Sequence, residues 1–369
     1  MEEHNFSRRK FLYNLAMASL SIPLISSGCD TPQHTQSMNK NSKLGIALVG
    51  LGTYSSILAE ALQETEQCYL AAIVTGSPSK IPTWQSKYNI VDGNIYNYQD
   101  FDSIANNKDV DIVYVVLPNS MHEEYVVRAA RAGKHVICEK PMALSVAECD
   151  RMIAACKKAG RMLSVGYRLH FEPYNLEMQH LGQNKVYGEL KTLSAGFGFN
   201  IGDPTQWRLK KALAGGGPLQ DLGIYCIQGF CYTTGLTPIA VTAQEGAKTN
   251  PEKFKEVEQS LTWQMEMPAG ILCEGKTSYA DNMNYLETEA EHGKFGLRPA
   301  FNYSGQQGHT PKGAMNFARV NQQARQMDDF ALAIKNNRPT PVPGEMGRRD
   351  VRIMEAIYEA MATGKKVKV

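Results

Sequence analysis

Between Leu44 and Tyr167, apolar runs alternate with helical signals, and that alternation constrains the fold more than any other feature of the chain. Leu44–Val49, Leu70–Val74, residues 111–117 and His135–Glu139 read as buried strands. Continuous apolar strands suit a sheet covered on both faces. Residues 55–65 and 121–133 read as helices, and Ser145 to Ala159 as a third, with Ser145 as N-cap and Glu148 three residues on. Strands alternating with helices in this way predict βαβ units and a parallel sheet.

After Met162–Tyr167 the pattern changes. Leu190–Phe199, Ile239–Gln244, Ser260–Met267 and Gly270–Ser278 are longer and alternate in polarity, which predicts a largely antiparallel sheet in a second domain. A helix around Asn321–Lys335, a turn Pro339–Gly344 and a helix around Gly347–Ala362 close the chain. The length of 369 residues suits two domains, and 43% hydrophobic with 21% charged residues is the balance of a globular protein. A formal charge of +2 without a basic block gives no reason to expect nucleic acid.

The N-terminus has a different character. Ser7-Arg8-Arg9-Lys10-Phe11-Leu12 is a twin-arginine pattern, and Leu12 to Ile25 is weakly apolar and too short to span a bilayer. Ser26-Ser27-Gly28-Cys29 is similar to a lipoprotein cleavage site, with serine at position 26 where leucine is usual. Residues 1–29 therefore read as an export signal with a lipidation site at Cys29, and residues 30–43 as a polar tether. The expected location is periplasmic, with any membrane attachment through Cys29. Eight cysteines without a Cys-x-x-Cys pair point away from zinc and thiol redox chemistry, so they are expected as small buried hydrophobes, with no metal site.

Gly50-Leu51-Gly52-Thr53-Tyr54-Ser55 follows the first strand and opens a helix. Glycines there permit a tight turn and a close approach of backbone to a pyrophosphate at the helix N-terminus. The second strand ends in Thr75-Gly76-Ser77-Pro78-Ser79-Lys80, with no acid to hold a ribose 2′-hydroxyl. Hydroxyls plus a cation favour a 2′-phosphate, hence NADP over NAD. Leu117, Pro118 and Asn119 end the next strand at the same rim, where they flank the nicotinamide ribose, and His122, a polar residue at the following helix start, is counted with them as a cofactor contact. The fold class is therefore α/β: a Rossmann dinucleotide-binding domain over 44–165, then an α+β domain over 166–369 with an open, largely antiparallel sheet.

The strand His135–Glu139 runs into Lys140 and Pro141, and a lysine at the carboxyl end of such a strand faces the ligand crevice. Pro141 suits a turn fixed by a cis bond. Asp221 and Tyr225 are four residues apart and share a face if that segment is helical. A lysine and a tyrosine in one crevice can share a proton, and alcohol oxidation needs a group that accepts one.

Gly50-Leu-Gly, Leu117-Pro-Asn-Ser-Met-His122, Ala132 through Met142 and Asp221-Leu-Gly-Ile-Tyr225 together resemble the glucose–fructose oxidoreductase/inositol dehydrogenase (Gfo/Idh/MocA) family, from about Leu44 to the C-terminus. Gly166-Tyr-Arg-Leu-His170, Gln206-Trp-Arg-Leu209, Ala214-Gly-Gly-Gly217 and Gly344 through Asp350 resemble segments of its glucose–fructose oxidoreductase branch. The resemblance implies that Lys140 and Tyr225 are catalytic with Asp221 in support. It implies that Thr75 and Lys80 hold the 2′-phosphate, and that Glu139, Tyr167, Arg168, Trp207 and Arg208 lie around the cofactor or substrate. Two departures stand out: residues 30–43 are too short for the proline-rich arm that covers the cofactor in that branch, and Ala195–Asp203 differs.

The implied reaction takes a hydride from C1 of an aldose to the nicotinamide while the C1 hydroxyl loses its proton, giving a lactone. Outside the cytoplasm a released cofactor could not be recycled, so it is expected to stay bound and be reoxidised by a second sugar. The short arm argues against that retention unless the fold or an oligomer supplies it. The open sheet is expected to serve self-association as a homodimer or homotetramer. Two rivals stay open: a redox-neutral glycosidase with bound NAD, and a nucleotide-binding sensor without catalysis.

Overall fold

Six strands with no polar face need cover on both sides, and they receive it. The computed structural model describes residues 43–369; the segment expected to be an export signal, the lipidation site expected at Cys29 and nearly all of the expected tether lie outside the described residues. Strands β1 (Leu44–Val49), β2 (Cys68–Val74), β3 (Ile95–Tyr96), β4 (Ile112–Val115), β5 (His135–Cys138) and β6 (Leu163–Val165) form one parallel sheet in the order β3-β2-β1-β4-β5-β6. Every residue of β1 and β4 is buried. The order reverses direction between β1 and β4, and ligands of such sheets bind at the carboxyl ends of the strands there.

The connecting helices are α1 (Thr53–Ala61), α2 (Ile81–Tyr88), α3 (His122–Arg131) and α4 (Val146–Lys158). Ser145 caps α4 as expected, its Oγ accepting from the Glu148 N–H at 3.3 Å. On α3, Glu123 and Glu124 lie in the first turn and Arg128 and Arg131 in the last, which suits the helix dipole.

The second sheet has nine strands: β7 (Leu190–Gly198), β8 (Ala240–Glu245), β9 (Ser260–Glu266), β10 (Leu272–Ser278), β11 (Met283–Ala290), β12 (Gly293–Leu297), β13 (Gly308–Thr310), β14 (Gly313–Ala314) and β15 (Val367–Lys368). Their order is β14-β13-β12-β11-β7-β10-β9-β8-β15, and among the described residues only β7 and β10 of this sheet pair in parallel. Burial alternates along β9 and β11, as in a sheet with one covered face. Helices α5 (Pro173–Gln183), α6 (Lys211–Ala214), α7 (Ile224–Thr234), α8 (Gln322–Lys335) and α9 (Gly344–Thr363) complete the chain. Of these, α7 packs on β7 and β10, α9 on β8, and α8 returns to α1 and β2.

One apolar core joins the halves, running from Val49 and Val113 through Met142 and Val165 to Ile227, Trp263 and Ile357. All seven described cysteines are buried and unpaired, as expected of small hydrophobes. Immediately before α7, Leu219–Gly223 winds as a π-turn, a geometry concentrated at functional sites. Asp221 therefore lies in the π-turn and Tyr225 in the first turn of α7.

Candidate functional site

Gly50 follows β1 at φ +90°, where its N–H donates to the Val74 carbonyl at 2.9 Å. A Cβ there would sit 2.6 Å from the Val116 carbonyl oxygen, so glycine is required both by conformation and by space. Gly52 is different: a Cβ there would meet no protein atom within 4 Å. Gly52 caps α1 without a side-chain hydrogen bond, and the first turn of α1 has no acid. Unsatisfied N–H groups beside open space fit a pyrophosphate. Ser55, at the third glycine position, is fully buried and donates to the Gly50 carbonyl at 2.5 Å, so its hydroxyl braces the turn. Thr53 is exposed at the head of α1, and Tyr54 stacks on Tyr303 with centroids 5.9 Å apart.

At the end of β2, the Thr75 hydroxyl accepts the Ser77 N–H at 3.0 Å. Lys80 donates to the Leu51 carbonyl at 2.7 Å, which sets its ammonium on the glycine turn itself. The Thr75 hydroxyl and the Lys80 ammonium are thus fixed at this strand end, and residues 75–80 include no acid.

Leu117 and Pro118 form the rim after β4, but the next two side chains do not face a ligand. Asn119 is buried and donates to the Ala214 carbonyl at 2.9 Å. His122 is fully buried, with Nε2 2.9 Å from the Leu117 carbonyl and Nδ1 2.9 Å from the Pro141 carbonyl. Burial holds its imidazole below the ordinary value. The expected cofactor contact by the His122 side chain is therefore corrected: it is buried between the Leu117 rim and the Lys140–Pro141 loop, and its single N–H can donate to only one of their carbonyls.

The Lys140–Pro141 peptide is cis, as the sequence led us to expect. Lys140 Nζ donates to the Asp221 carbonyl at 2.8 Å and lies 3.5 Å from Asp221 Oδ1. The same ammonium sits 4.7 Å from the centroid of the Tyr225 ring. The other carboxylate oxygen of Asp221 accepts from Arg208 Nε at 3.0 Å and from the Tyr279 hydroxyl at 3.1 Å. Burial pushes this carboxyl up, but Lys140, Arg208 and Tyr279 outweigh it and hold it below the usual carboxylate range. Trp207 reaches the cluster through Arg208, whose guanidinium stacks 4.8 Å from its ring centroid.

Glu139 is buried and accepts from the Tyr114 hydroxyl at 2.6 Å and the Lys140 N–H at 3.2 Å. Its own burial raises its pKa, against the Tyr114 bond and the Lys140 charge. Arg168 is buried, donating to the carbonyls of Asn302 at 2.9 Å and Phe301 at 2.6 Å and to Gln322 Oε1 at 2.5 Å. Its guanidinium lies 5.0 Å from the Tyr225 centroid and 4.5 Å from that of Tyr303. The Tyr167 hydroxyl donates to Asp350 at 2.6 Å. The side-chain polar groups of Glu139, Asn119 and Tyr167 are thus engaged within the protein, and frame the cleft rather than offer it donors.

Sequence reasoning did not single out Tyr279 or Tyr303, which come from loops and carry no motif. It quoted Asp350 only inside the Gly344–Asp350 segment. What the arrangement can do chemically is move a proton at Tyr225 beside a lysine whose charge is balanced by Asp221.

Residues 44–167 match the profile of the oxidoreductase family with NAD-binding Rossmann fold, and residues 175–308 that of the GFO/IDH/MocA C-terminal domain. A solved aldose–aldose oxidoreductase from Caulobacter crescentus, complexed with glycerol, is 42% identical, with a TM-score of 0.87 over 89% of this chain and 100% of that one. The D-xylose 1-dehydrogenase [NADP(+)] of Haloarcula marismortui is 24% identical over 95% of this chain and 100% of its own. The D-glucoside 3-dehydrogenase of Escherichia coli (strain K12) is 26% identical over 89% of this chain and 98% of its own.

Proposed function

The chain belongs to the Gfo/Idh/MocA oxidoreductase family, and from that premise we propose that it oxidises C1 of an aldose to a lactone with NADP that stays bound and is reoxidised by a second sugar. That it is a sugar oxidoreductase with an NAD(P)-binding Rossmann domain follows from the family and its relatives. The observation that carries the finer reading is the Lys140 ammonium, held by the Asp221 backbone carbonyl at 2.8 Å, 3.5 Å from the Asp221 carboxylate and 4.7 Å from the Tyr225 centroid, at the strand-end rim that bears the glycine turn.

A nicotinamide bound here supplies the hydride acceptor; Gly50, Gly52, Thr53 and the first turn of α1 are suited to its pyrophosphate. Thr75 and Lys80, with no acid beside them, support NADP, and the Haloarcula relative carries NADP(+) in its name. The protein's own task is to present C1 and take the hydroxyl proton at Tyr225, with Lys140 and Asp221 fixing charge and distance. Support for two sugars comes from the 42% identity to an enzyme named for two aldoses. The twin-arginine pattern supports export, the Cys29 site a lipid anchor, and the open second sheet a homodimer or homotetramer.

The test is to denature the purified protein, identify the nucleotide released, and follow reduced-nicotinamide absorbance as an aldose and then a second sugar are added. NADP, reduced by the first sugar and reoxidised by the second, is the expected result. Protein purified without nucleotide, or reduced but never reoxidised by any aldose or ketose, would overturn the cycle. Hydrolysis of p-nitrophenyl glycosides would mark the redox-neutral glycosidase instead.

A further inference from the structure

One turn along α7 from Tyr225 lies a second polar cluster, which C1 chemistry as described does not use. Asp350 of α9 is fully buried. Its Oδ1 accepts from Arg349 at 2.9 and 2.7 Å, and its Oδ2 from the Tyr167 hydroxyl at 2.6 Å and from the Gln228 amide. A carboxylate only accepts, so Gln228 must turn its NH2 group to Asp350 and its carbonyl oxygen away. That oxygen is 2.7 Å from His170 Nε2, which must therefore carry the ring proton. Nδ1 of His170 is left as an acceptor and takes no hydrogen bond from any described residue.

His170, Gln228, Lys140 and Tyr225 line one small pocket, of water size and too tight for a sugar ring. A neutral phenol takes a sugar's proton only as it gives up its own, so Tyr225 needs an acceptor behind it. Lys140 is already a cation bonded to Asp221, and Arg168 is a second cation on the ring. His170 is the neutral base of this pocket. Burial pushes its imidazole down, the bond to Gln228 and the Asp350 charge oppose that, and Arg349 adds to it.

Resting on the reading above, we propose that His170 is the proton acceptor behind Tyr225. As the C1–H bond breaks and its electron pair leaves as hydride to the oxidised nicotinamide, the C1 hydroxyl proton passes to the Tyr225 oxygen. The phenol's own proton passes to Nδ1 of His170, directly or through one water. Tyr225 ends neutral and His170 ends as imidazolium, its Nε2–H held by Gln228. The positive charge lost at the nicotinamide is thereby replaced at His170, so a poorly solvated site keeps its charge. When a second sugar carbonyl takes the hydride back, the proton returns by the same path.

Nitrogen NMR of the purified protein, with no sugar added and the signal assigned by its loss in His170→Asn, is expected to show the Nε2–H tautomer. Gln228→Leu keeps His170 and is expected to lose that preference. In a single turnover with an aldose and an indicator dye, the wild type is expected to release well under one proton per nicotinamide reduced. His170→Asn and Gln228→Leu are expected to release about one, the full stoichiometry of alcohol oxidation. An Nδ1–H tautomer in the wild type, or a full proton released by it, overturns the relay. If no aldose reduces the nucleotide, the proposed function fails instead, and the tautomer still decides whether His170 offers Nδ1.

Discussion

The two ends of the cleft are built in opposite ways. At the nucleotide end the working groups are consecutive, and the middle of the run is open: Gly50 to Ser55 make a turn that exposes Gly52 and Thr53 at a helix N-terminus with no side-chain cap. At the end where proton transfer is proposed they are distant in sequence and engaged with one another. There Lys140 bonds Asp221, Arg208 and Tyr279 share the same carboxylate, and Arg168 is fixed by three acceptors. Open donors wait for an anion, whereas engaged ones hold a geometry and a charge balance. Substitutions at the first end should change what binds, and those at the second what reacts.

Lys140→Met is the strongest probe of that division. It is expected to lower the rate of nicotinamide reduction by about 10³-fold while the nucleotide content stays unchanged, the usual scale for a lost proton-transfer group. Loss of nucleotide in step with rate would break the division. Gly50→Ala should do the reverse, emptying the protein of nucleotide and costing about 2 kcal/mol in chemical denaturation, because a Cβ meets the Val116 carbonyl at an unfavourable φ. Lys80→Met is expected to weaken NADP by about tenfold and leave NAD untouched, one charge-assisted bond in calorimetric titration. Equal loss for both nucleotides would assign Lys80 to bracing the turn alone.

The smallest effect is a pH dependence. Asp221 is depressed in the folded protein, so its contribution to stability is full above the unfolded value of about 3.9 and is lost as pH falls through its lower folded value. The stability difference from Asp221→Asn should therefore be flat from neutrality down to about 3.9 and close below it. A gap that closed nearer neutrality would mean that Lys140 and Arg208 do not hold the carboxylate.

This contrast also explains what could be read from the sequence. The glycine turn is legible because its parts are consecutive, and Lys140 because a strand end fixes where its side chain goes. Asp221 and Tyr225 were legible from their spacing, although a π-turn and not an α-turn carries the first. His122 was misplaced because its two carbonyl partners, five and nineteen residues away, leave no mark in local pattern. Asp350 lay in a motif, yet its partner Tyr167 is 183 residues distant. Among the elements, α9 starts at Gly344 rather than Gly347 because Pro343 stands at its N-cap and leaves the next residues free to wind. Strand β11 escaped because its half-exposed alternation mixes charged with apolar residues, and β12 because two glycines and a lysine in five residues hide its short apolar pattern.

The π-turn at Leu219–Gly223 makes the site depend on counting as well as on chemistry. Each residue along a helix turns the next by about 100°, so one residue fewer in that stretch would let it wind as an ordinary helix and re-aim everything on one side of it. A chain shortened by one glycine or leucine there would still carry Lys140, Asp221 and Tyr225, and a motif search would still find each of them. The carbonyl that receives Lys140 and the phenol beneath its ammonium would no longer face the same way. Insertions and deletions in this one turn, more than substitutions around it, would separate relatives that share the motif from those that share the reaction.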